Sequence, residues 1–269
     1  MVLSGIDCKV GCVVIARDEE ENIGKCLRGL RNQKLRPYIV VVDDGSIDRT
    51  PVIARKLSDC VVSLPRHDES WTGRPELAIV FNQGFKVLEE IDVDYVMVSG
   101  ADAYYPSYYV SELVKRMIRN NITIASGVAI GERTSFLAVR GSGRIIESSW
   151  FKTVGYRYPL NYGFESYIIF RALMDGRKVR VFRDLIFALY RKTASSPKRA
   201  YYWGKSMKAL NYWWFFALRR CIDFGPRGFF SMLKGYLSSD VVCYKDLASF
   251  VPNFQKRYFV RRILGRFSL

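Results

Sequence analysis

The sequence predicts an α/β fold, a mixed sheet flanked by helices, with a C-terminal helical extension. Two apolar runs, from Val10 to Ile15 and from Ile39 to Val42, each end in charged residues. Between them, Ile23, Leu27 and Leu30 have the spacing of one apolar helix face. The segment is therefore strand, helix, strand. In open α/β sheets, ligands bind just outside the carboxyl ends of the strands, which makes these charged ends candidate binding residues.

The two strand ends carry most of the chemical information. The first continues as Ala16-Arg17-Asp18-Glu19, and the second as Asp43-Asp44-Gly45-Ser46. The second end also suits a turn, and Thr50 followed by Pro51 suits a helix N-cap with proline at the first helical position. Turn and binding site are compatible interpretations, because the turn is what presents the carboxylates.

These segments resemble the start of the family 2 glycosyltransferases, which have the Rossmann-like GT-A fold. The strand end closes in Asp18-Glu19, and Asp43 to Thr50 matches the family signature Asp-Asp-Gly-Ser-x-Asp-x-Thr. The resemblance covers about residues 9–192 and implies an inverting, hexosyltransferase-type enzyme with a nucleotide sugar as donor, a UDP- or GDP-sugar. The residues that it places against the base and ribose are Ala16, Arg17, Glu19, Asp43 and Asp44.

Further strands and helices are expected along the catalytic domain. The strands are predicted at Cys60–Ser63, Asp94–Ser99, Thr123–Ile130 and Lys178–Phe182, and the helices at Glu76–Glu90, Pro106–Asn120 and Tyr167–Met174. Residues 141–150 are predicted to form a loop and strand that face the acceptor. Asn82-x-Gly84 matches a recurrent family element near the nucleotide. Arg74 could meet the donor diphosphate or be a solvated arginine, and His67, the only histidine, is assigned no role.

A metal site is implied by the segment Gly100-Ala101-Asp102, which aligns with the family's Asp-x-Asp motif. The resemblance makes Asp102 catalytic as the ligand of Mg²⁺ or Mn²⁺ and places Ala101 beside the donor. Carboxylate oxygens suit a hard cation that bridges phosphates. However, glycine replaces the first aspartate, and the histidine found in many relatives is missing. Arg191 or Lys192 could neutralise the diphosphate instead, and Asp102 could simply cap a helix.

A candidate general base follows in the segment from Asn161 to Ser166. It resembles the family's Gly-x-Glu-Asp element, with Glu165 in the base position and serine in place of the aspartate. A base removes the proton of an acceptor hydroxyl as that oxygen attacks the anomeric carbon. The alternative is a first-turn glutamate favoured by the helix dipole. A polyprenyl phosphate acceptor would need no strong base, because its oxygen is already ionised.

Charge is unevenly distributed along the chain. Residues 1–150 contain 19 Lys/Arg and 20 Asp/Glu, a net charge of −1, whereas residues 151–269 contain 23 and 6, a net charge of +17. The excess predicts an anionic partner for the second part. We therefore expect residues 1–192 to be the catalytic domain and 193–269 a basic, aromatic helical extension.

The extension alternates aromatic clusters, such as Tyr212 to Phe216, with lysine and arginine. Amphipathic helices of this kind suit an anionic membrane surface, and packing against the protein is the open alternative. Nucleic acid ranks third, because no RRM, KH or zinc-finger module is present. The acceptor is then a lipid phosphate or a membrane-linked glycan.

Localisation is expected to be cytoplasmic, with peripheral attachment to the inner face of the cell membrane. The six cysteines lack zinc-site spacing and indicate buried thiols. The first twenty residues do not resemble a signal peptide, and the longest uncharged run of the extension, Ala209 to Leu218, is about half as long as a membrane span.

Three other kinds of protein are alternatives to a glycosyltransferase. A catalytically weakened nucleotide-sugar-binding scaffold would explain Gly100 and the missing histidine. A nucleotidyltransferase or a dinucleotide-binding dehydrogenase is disfavoured, because no glycine-rich loop follows the first strand.

Overall fold

The computed structural model describes residues 8–131, 139, 141–191 and 196–263, with side chains up to residue 260. Lys192, a candidate partner of the diphosphate, lies outside the described residues. The chain divides into two compact units. The first comprises residues 1–70, 79–158 and 176–192, and the second 71–78, 159–175 and 193–269. Segments 71–78 and 159–175 thus group with the extension, and the domain boundary at residue 192 stays a prediction.

The first unit contains an eight-stranded mixed sheet. Its strands are β1 (Val10–Ala16), β2 (Tyr38–Asp43), β3 (Cys60–Ser63), β4 (Tyr95–Gly100), β5 (Ala103–Tyr104), β6 (Ile124–Ala129), β7 (Arg144–Glu147) and β8 (Val179–Leu189). They lie in the order β3-β2-β1-β4-β7-β6-β8-β5. The first four are parallel, β7 is antiparallel to β4 and β6, and β8 is parallel to β6 and antiparallel to β5. The predicted mixed α/β fold is confirmed.

Ten helices are described in the chain. They are α1 (Ile23–Arg31), α2 (Thr50–Leu57), α3 (Leu77–Ile91), α4 (Tyr109–Asn120), α5 (Ser148–Thr153), α6 (Phe164–Met174), α7 (Pro197–Ala209), α8 (Trp214–Asp223), α9 (Pro226–Tyr236) and α10 (Phe250–Ile263). Because α1 follows β1 and α2 follows β2, their first turns lie at the carboxyl edge of the parallel strands.

Four predicted elements differ in extent. Helix α4 begins at Tyr109, three residues later than predicted. The expected acceptor-facing strand ends at Glu147, and the next residues form α5. Helix α6 begins three residues earlier than predicted, after Gly163, whose φ of 73° favours glycine. Strand β8 runs on to Leu189 rather than ending at Phe182, because its second half pairs with β6 and with β5.

Helix α3 packs closely against the sheet through its glycine. A Cβ atom on Gly84 would lie 2.5 Å from Val13 Cγ1 and 3.1 Å from Val42 Cγ2. Two residues earlier, the Asn82 side chain donates to the carbonyl of Tyr158 at 2.9 Å and accepts from its N–H at 2.8 Å. In the structure, both residues of the Asn-x-Gly element therefore fix the helix in place.

The carboxyl ends of β1, β2 and β4 lie side by side. Ile15 is in register with Gly100, and Ala16 with Asp43. The central residues of all three strands are buried. Because β1 lies between β2 and β4, the loops after these strands meet at the switch point of the parallel part of the sheet, where open α/β sheets bind ligands.

The second unit is helical, and many of its aromatic residues belong to its own core. Trp203, Tyr212 and Phe229 pack against one buried cluster that includes Met207 and Met232. A second cluster, around Phe170 and Leu247, is covered by further aromatic side chains. Packing thus accounts for part of the aromatic content of the extension. Among the described helices, none has the length and apolar character required to span a bilayer.

Candidate active site

A buried carboxylate lies where β1 and β2 end. The backbone N–H of Asp44 donates to Ala16 O at 2.8 Å, which ties the two strand ends together. The Asp44 side chain is only 7% exposed and lies 3.5 Å from Arg17 Nη1. His67 Nε2 is 3.0 Å from each of its oxygens. The structure therefore gathers Arg17, Asp44 and His67 into one cluster.

His67 is a site residue that sequence reasoning missed. It follows β3, which pairs with β2, so the strand order brings its loop beside Asp44. The guanidinium of Arg17 also donates to the carbonyl of His67. The available signal was the position of the only histidine in a polar loop after a strand of the same sheet.

Other residues of the signature build the loops around this cluster. Asp43 Oδ1 accepts from Ser46 N at 3.2 Å, and Thr50 Oγ1 accepts from Glu19 N at 2.7 Å. Thr50 is the first residue of α2 rather than its cap, and Asp48 Oδ1 accepts its N–H at 2.9 Å. The loops after β1 and β2 therefore support each other through side-chain hydrogen bonds to the backbone.

Asp18 adds a charged link between these loops. Its Oδ1 accepts from Ile47 N at 2.9 Å, and its carboxylate receives both terminal nitrogens of Arg66, at 3.1 and 3.0 Å. The hydrogen bonds from Arg66 and from the Ile47 backbone lower the pKa of Asp18 below its usual range. Asp18 therefore stays ionised, and keeps these hydrogen bonds, at a lower pH than an ordinary aspartate would.

A second cluster joins the ends of β1 and β4. Arg191 Nη2 donates to Glu19 Oε1, and Arg191 Nε lies 3.9 Å from Asp102 Oδ2. Glu19 and Asp102 are largely buried, with side-chain exposures of 8% and 19%, whereas the side chain of Arg191 is 65% exposed. Ala101, also predicted to lie beside the donor, is buried next to Asp102. One guanidinium therefore bridges two carboxylates at the switch point.

The residues present do not fit a preformed site for a divalent ion. Within the described ranges, no three His, Cys, Asp or Glu side chains are grouped so as to hold a metal. A Cβ atom on Gly100 would lie 2.8 Å from Asp102 Oδ1, so a second carboxylate there would require Asp102 to move. Burial raises the pKa of the nearby Cys26 thiol to about 12. Binding of Mg²⁺ or Mn²⁺ by Asp102 stays a prediction.

Glu165 and Arg74 belong to the second unit. Glu165 is half-buried in the first turn of α6. Arg74 precedes α3 and pairs with Glu76, with 2.7 Å between Arg74 Nη2 and Glu76 Oε1.

Of the predicted site residues, the structure brings a set together at one edge of the sheet: Ala16, Arg17, Glu19, Asp43, Asp44, Ala101 and Asp102. The roles of Glu165 and Arg74 stay predictions.

Comparison with known proteins decides the family. The family model described as glycosyl transferase family 2 matches residues 12–184, more than half of the chain. The chain belongs to glycosyl transferase family 2. The predicted family and the predicted enzyme class, a glycosyltransferase, are confirmed. The match includes Asp44, Asp102 and Glu165 and ends before Arg191.

A curated relative matches a short segment of this glycosyltransferase. The 4,4'-diaponeurosporenoate glycosyltransferase of Staphylococcus haemolyticus (strain JCSC1435) is 34% identical over 67 residues. The matched segment spans 24% of this chain and 18% of the relative.

Solved structures share the fold of this glycosyltransferase at low sequence identity. The mannosyltransferase PcManGT of Pyrobaculum calidifontis, in complex with GDP-Man and Mn²⁺, is 13% identical with a TM-score of 0.60, over 97% of this chain and 81% of that one. TarS of S. aureus (residues 1–349), in complex with UDP, is 17% identical with a TM-score of 0.55, over 74% and 64%. A TarS complex with UDP-GlcNAc gives a TM-score of 0.54 at 15% identity, over 73% and 64%. The chain thus covers about two thirds of TarS 1–349.

Proposed function

We propose that this enzyme transfers a hexose, with inversion, from a UDP- or GDP-sugar to a polyprenyl phosphate or a membrane-linked glycan at an anionic membrane surface. The proposed binding of a nucleotide-sugar donor rests on the two clusters of charged residues at the switch point. There, Asp44 with its two nitrogen partners follows β2, and Asp102 with Arg191 follows β4, on the two sides of β1. The uridine and guanosine diphosphates bound by the solved neighbours support the choice of donors to test.

Asp44 is proposed to accept hydrogen bonds from the base or ribose of the donor. A buried carboxylate is stable only when its charge is satisfied by hydrogen bonds or cations. Arg17 and His67 satisfy it now, and a nucleotide with N–H or O–H donors would add to that set. Ala16, Glu19, Asp43 and Ala101 are proposed to line the donor site, and the diphosphate is proposed to bind at Asp102; contact of Arg74 with the diphosphate stays a prediction.

The reaction is a single displacement. The acceptor oxygen bonds to the anomeric carbon, while the bond from that carbon to the β-phosphate oxygen breaks and leaves its electron pair on the nucleoside diphosphate. With a hydroxyl acceptor, Glu165 takes the proton. With a phosphate acceptor, the attacking oxygen carries no proton near neutral pH. Such an acceptor would need no strong base, so serine in place of the family's aspartate at position 166 would not slow the reaction.

The proposed binding to an anionic membrane surface is supported by the exposed face of α9. Arg227, Phe230, Lys234 and Leu237 recur at intervals of three or four residues, so they share one side of the helix. All four are exposed, Phe230 by 75% and Leu237 by 69%. Alternating cationic and large apolar side chains suit the interface of an anionic bilayer, where each basic residue contributes on the order of 1 kcal/mol.

Co-sedimentation with vesicles tests this surface. The wild-type protein is expected to sediment with vesicles containing anionic phosphatidylglycerol and not with pure phosphatidylcholine. The double variant Phe230→Ser and Leu237→Ser should lose most of this binding. A matched control is Ile47→Ser and Ile130→Ser, two exposed apolar residues of the first unit. Equal binding by both double variants would contradict a membrane role for α9.

The acceptor and the stereochemistry are tested with purified protein. Each donor is incubated with a short-chain polyprenyl phosphate or a soluble sugar, and NMR gives the anomeric configuration of the product. Inverted product on the lipid phosphate supports the proposal. Activity on the soluble sugar alone would contradict the lipid acceptor, and a retained configuration would contradict the single displacement.

A second candidate is a nucleotide-sugar-binding scaffold with weak or no catalysis. The glycine at position 100 favours it, because one carboxylate of the family motif is absent. Donor binding without transfer or donor hydrolysis would support this candidate, whereas measurable transfer or hydrolysis would exclude it.

A further inference from the structure

We propose that Arg191 supplies the positive charge that the donor diphosphate requires, so that nucleoside diphosphates bind to this enzyme without a divalent cation. The inference rests on the proposed function, because it names the partner of the leaving group at the same donor site. It concerns a residue that lies beyond the part of the chain matched by the family model.

The guanidinium lies between the two strand ends where a donor is expected. It contacts Glu19, which follows β1, and Asp102, which follows β4. These strands are adjacent and parallel. A single cation thus lies beside Asp102, where the family motif would bring an ion, and glycine stands at position 100 in place of the motif's first aspartate.

The fold holds the backbone of Arg191 in this place. The preceding N–H, that of Tyr190, donates to the carbonyl of Asp102 at 2.8 Å. The end of β8 pairs with β5, which immediately follows Asp102. Both contacts tie the segment that carries Arg191 to the loop that carries Asp102. Main-chain hydrogen bonds therefore fix the backbone beside Arg191, and the guanidinium is held by its own ion pairs.

Arg191 is also open to a ligand. Its side chain is 65% exposed, although its carboxylate partners are largely buried. A guanidinium has five N–H donors in a planar fork that matches phosphate oxygens, and it stays protonated at all relevant pH values. The contacts to Glu19 and Asp102 use only part of this fork. The remainder can bind the two non-bridging oxygens of a phosphate.

A second cation lies near the backbone that carries Arg191, because Lys25 Nζ is 5.1 Å from the centre of the Tyr190 ring and Lys25 is exposed. When the bond between the anomeric carbon and the β-phosphate oxygen breaks, that oxygen takes the electron pair. An adjacent guanidinium stabilises the added charge, as preorganised cations do in phosphate-leaving reactions.

The test is a binding titration in EDTA with UDP and GDP, and with UMP and GMP for comparison. The proteins are the wild type, Arg191→Gln, Arg191→Lys and the control Arg183→Gln. Arg183 is an exposed arginine on β8, and Arg191 follows that strand, so the control removes the same charge from the same segment of the chain. Equal melting temperatures of Arg191→Gln and Arg183→Gln verify that folding is unaffected.

The wild type and Arg183→Gln should bind one nucleoside diphosphate in EDTA. Arg191→Gln should bind it roughly tenfold more weakly or worse, as expected for a lost hydrogen bond to a charged group. Its affinity for the matching monophosphate should change much less, and Arg191→Lys should fall between. Diphosphate binding by the wild type only with Mn²⁺ or Mg²⁺, or equal binding by Arg191→Gln and Arg183→Gln, would overturn the inference while leaving the proposed function intact. Failure of every nucleotide to bind, with and without metal, would overturn both.

Discussion

His67 Nε2 lies 3.0 Å from both oxygens of the Asp44 carboxylate, although 23 residues separate the two in sequence. The contact joins the loop after β3 to the end of β2 and leaves Asp44 buried between a histidine and Arg17. Asp44 is the signature residue with the strongest expected role in donor binding, so its neighbours should govern the affinity for the nucleotide.

Substitution of His67 by alanine should weaken nucleotide binding without unfolding the protein. The variant leaves one buried carboxylate with fewer partners, and a hydrogen bond to a charged group corresponds to roughly 10- to 150-fold in affinity. Calorimetry with the best nucleotide measures the change. The exposed neighbour Asp68, changed to alanine, is the control. Unchanged nucleotide affinity in the His67 variant would show that this histidine does not contribute to donor binding.

Glu165→Gln should slow transfer to a hydroxyl acceptor by about 10²- to 10⁴-fold, because it removes the proposed base. Binding of the nucleoside diphosphate should be unchanged. With a lipid phosphate acceptor the rate should change little, since no proton has to be removed. The comparison of the two acceptors in one variant separates a base from a structural glutamate, which would affect both rates alike.

Gly84→Ala should destabilise the first unit by about 1–3 kcal/mol, since its Cβ would overlap Val13 and force α3 away from the sheet. Gly24→Ala in α1 is the matched control, because its nearest neighbours would lie 3.4 Å or more away. Alanine favours helices over glycine by about 1 kcal/mol, so the control should be neutral or stabilising. Urea unfolding measures both. A neutral Gly84→Ala would contradict the close packing of α3.

Asp18 should make the stability of the protein fall in acid. Its pKa is lowered in the folded state, chiefly by the hydrogen bond from Arg66. Its contribution is therefore complete above the unfolded pKa of about 4 and is lost as pH falls through the lower, folded pKa. Asp18→Asn should melt below the wild type at pH 7, and the difference in melting temperature should shrink as the pH falls below about 4 and through the lower, folded pKa of Asp18. A difference in melting temperature that does not change with pH would show that the charge of Asp18 is not its cause.

The parallel strands were predictable because strands of a buried parallel sheet are continuous apolar runs, as β1 and β2 are. The second half of β8 was not, because Arg183 and Asp184 interrupt its apolar pattern and its pairing with β6 and β5 is tertiary. The charged strand ends were identified from their signatures. The contact of Glu19 with Arg191 joins residues 172 positions apart, and no local pattern encodes such a contact.

The length of α6 was underestimated for a local reason. Its first turn contains Phe164 and Glu165, and the helix begins directly after a glycine with positive φ. That glycine is more commonly a sign of a helix end than of a helix start. The sequence therefore suggested a loop before Tyr167, where the structure has the first turn of the helix.

The most direct test of the account is thermal stability of the wild type and of Asp44→Ala against UDP, GDP and their sugars, with and without Mn²⁺ or Mg²⁺. One nucleotide diphosphate should raise the melting temperature of the wild type by about 5 °C or more at roughly a hundred times its Kd. Asp44→Ala should lose this rise, and the exposed control Asp68→Ala should keep it. An equal rise in Asp44→Ala, or no rise in the wild type with any nucleotide under either condition, would contradict a donor site at the ends of β1, β2 and β4.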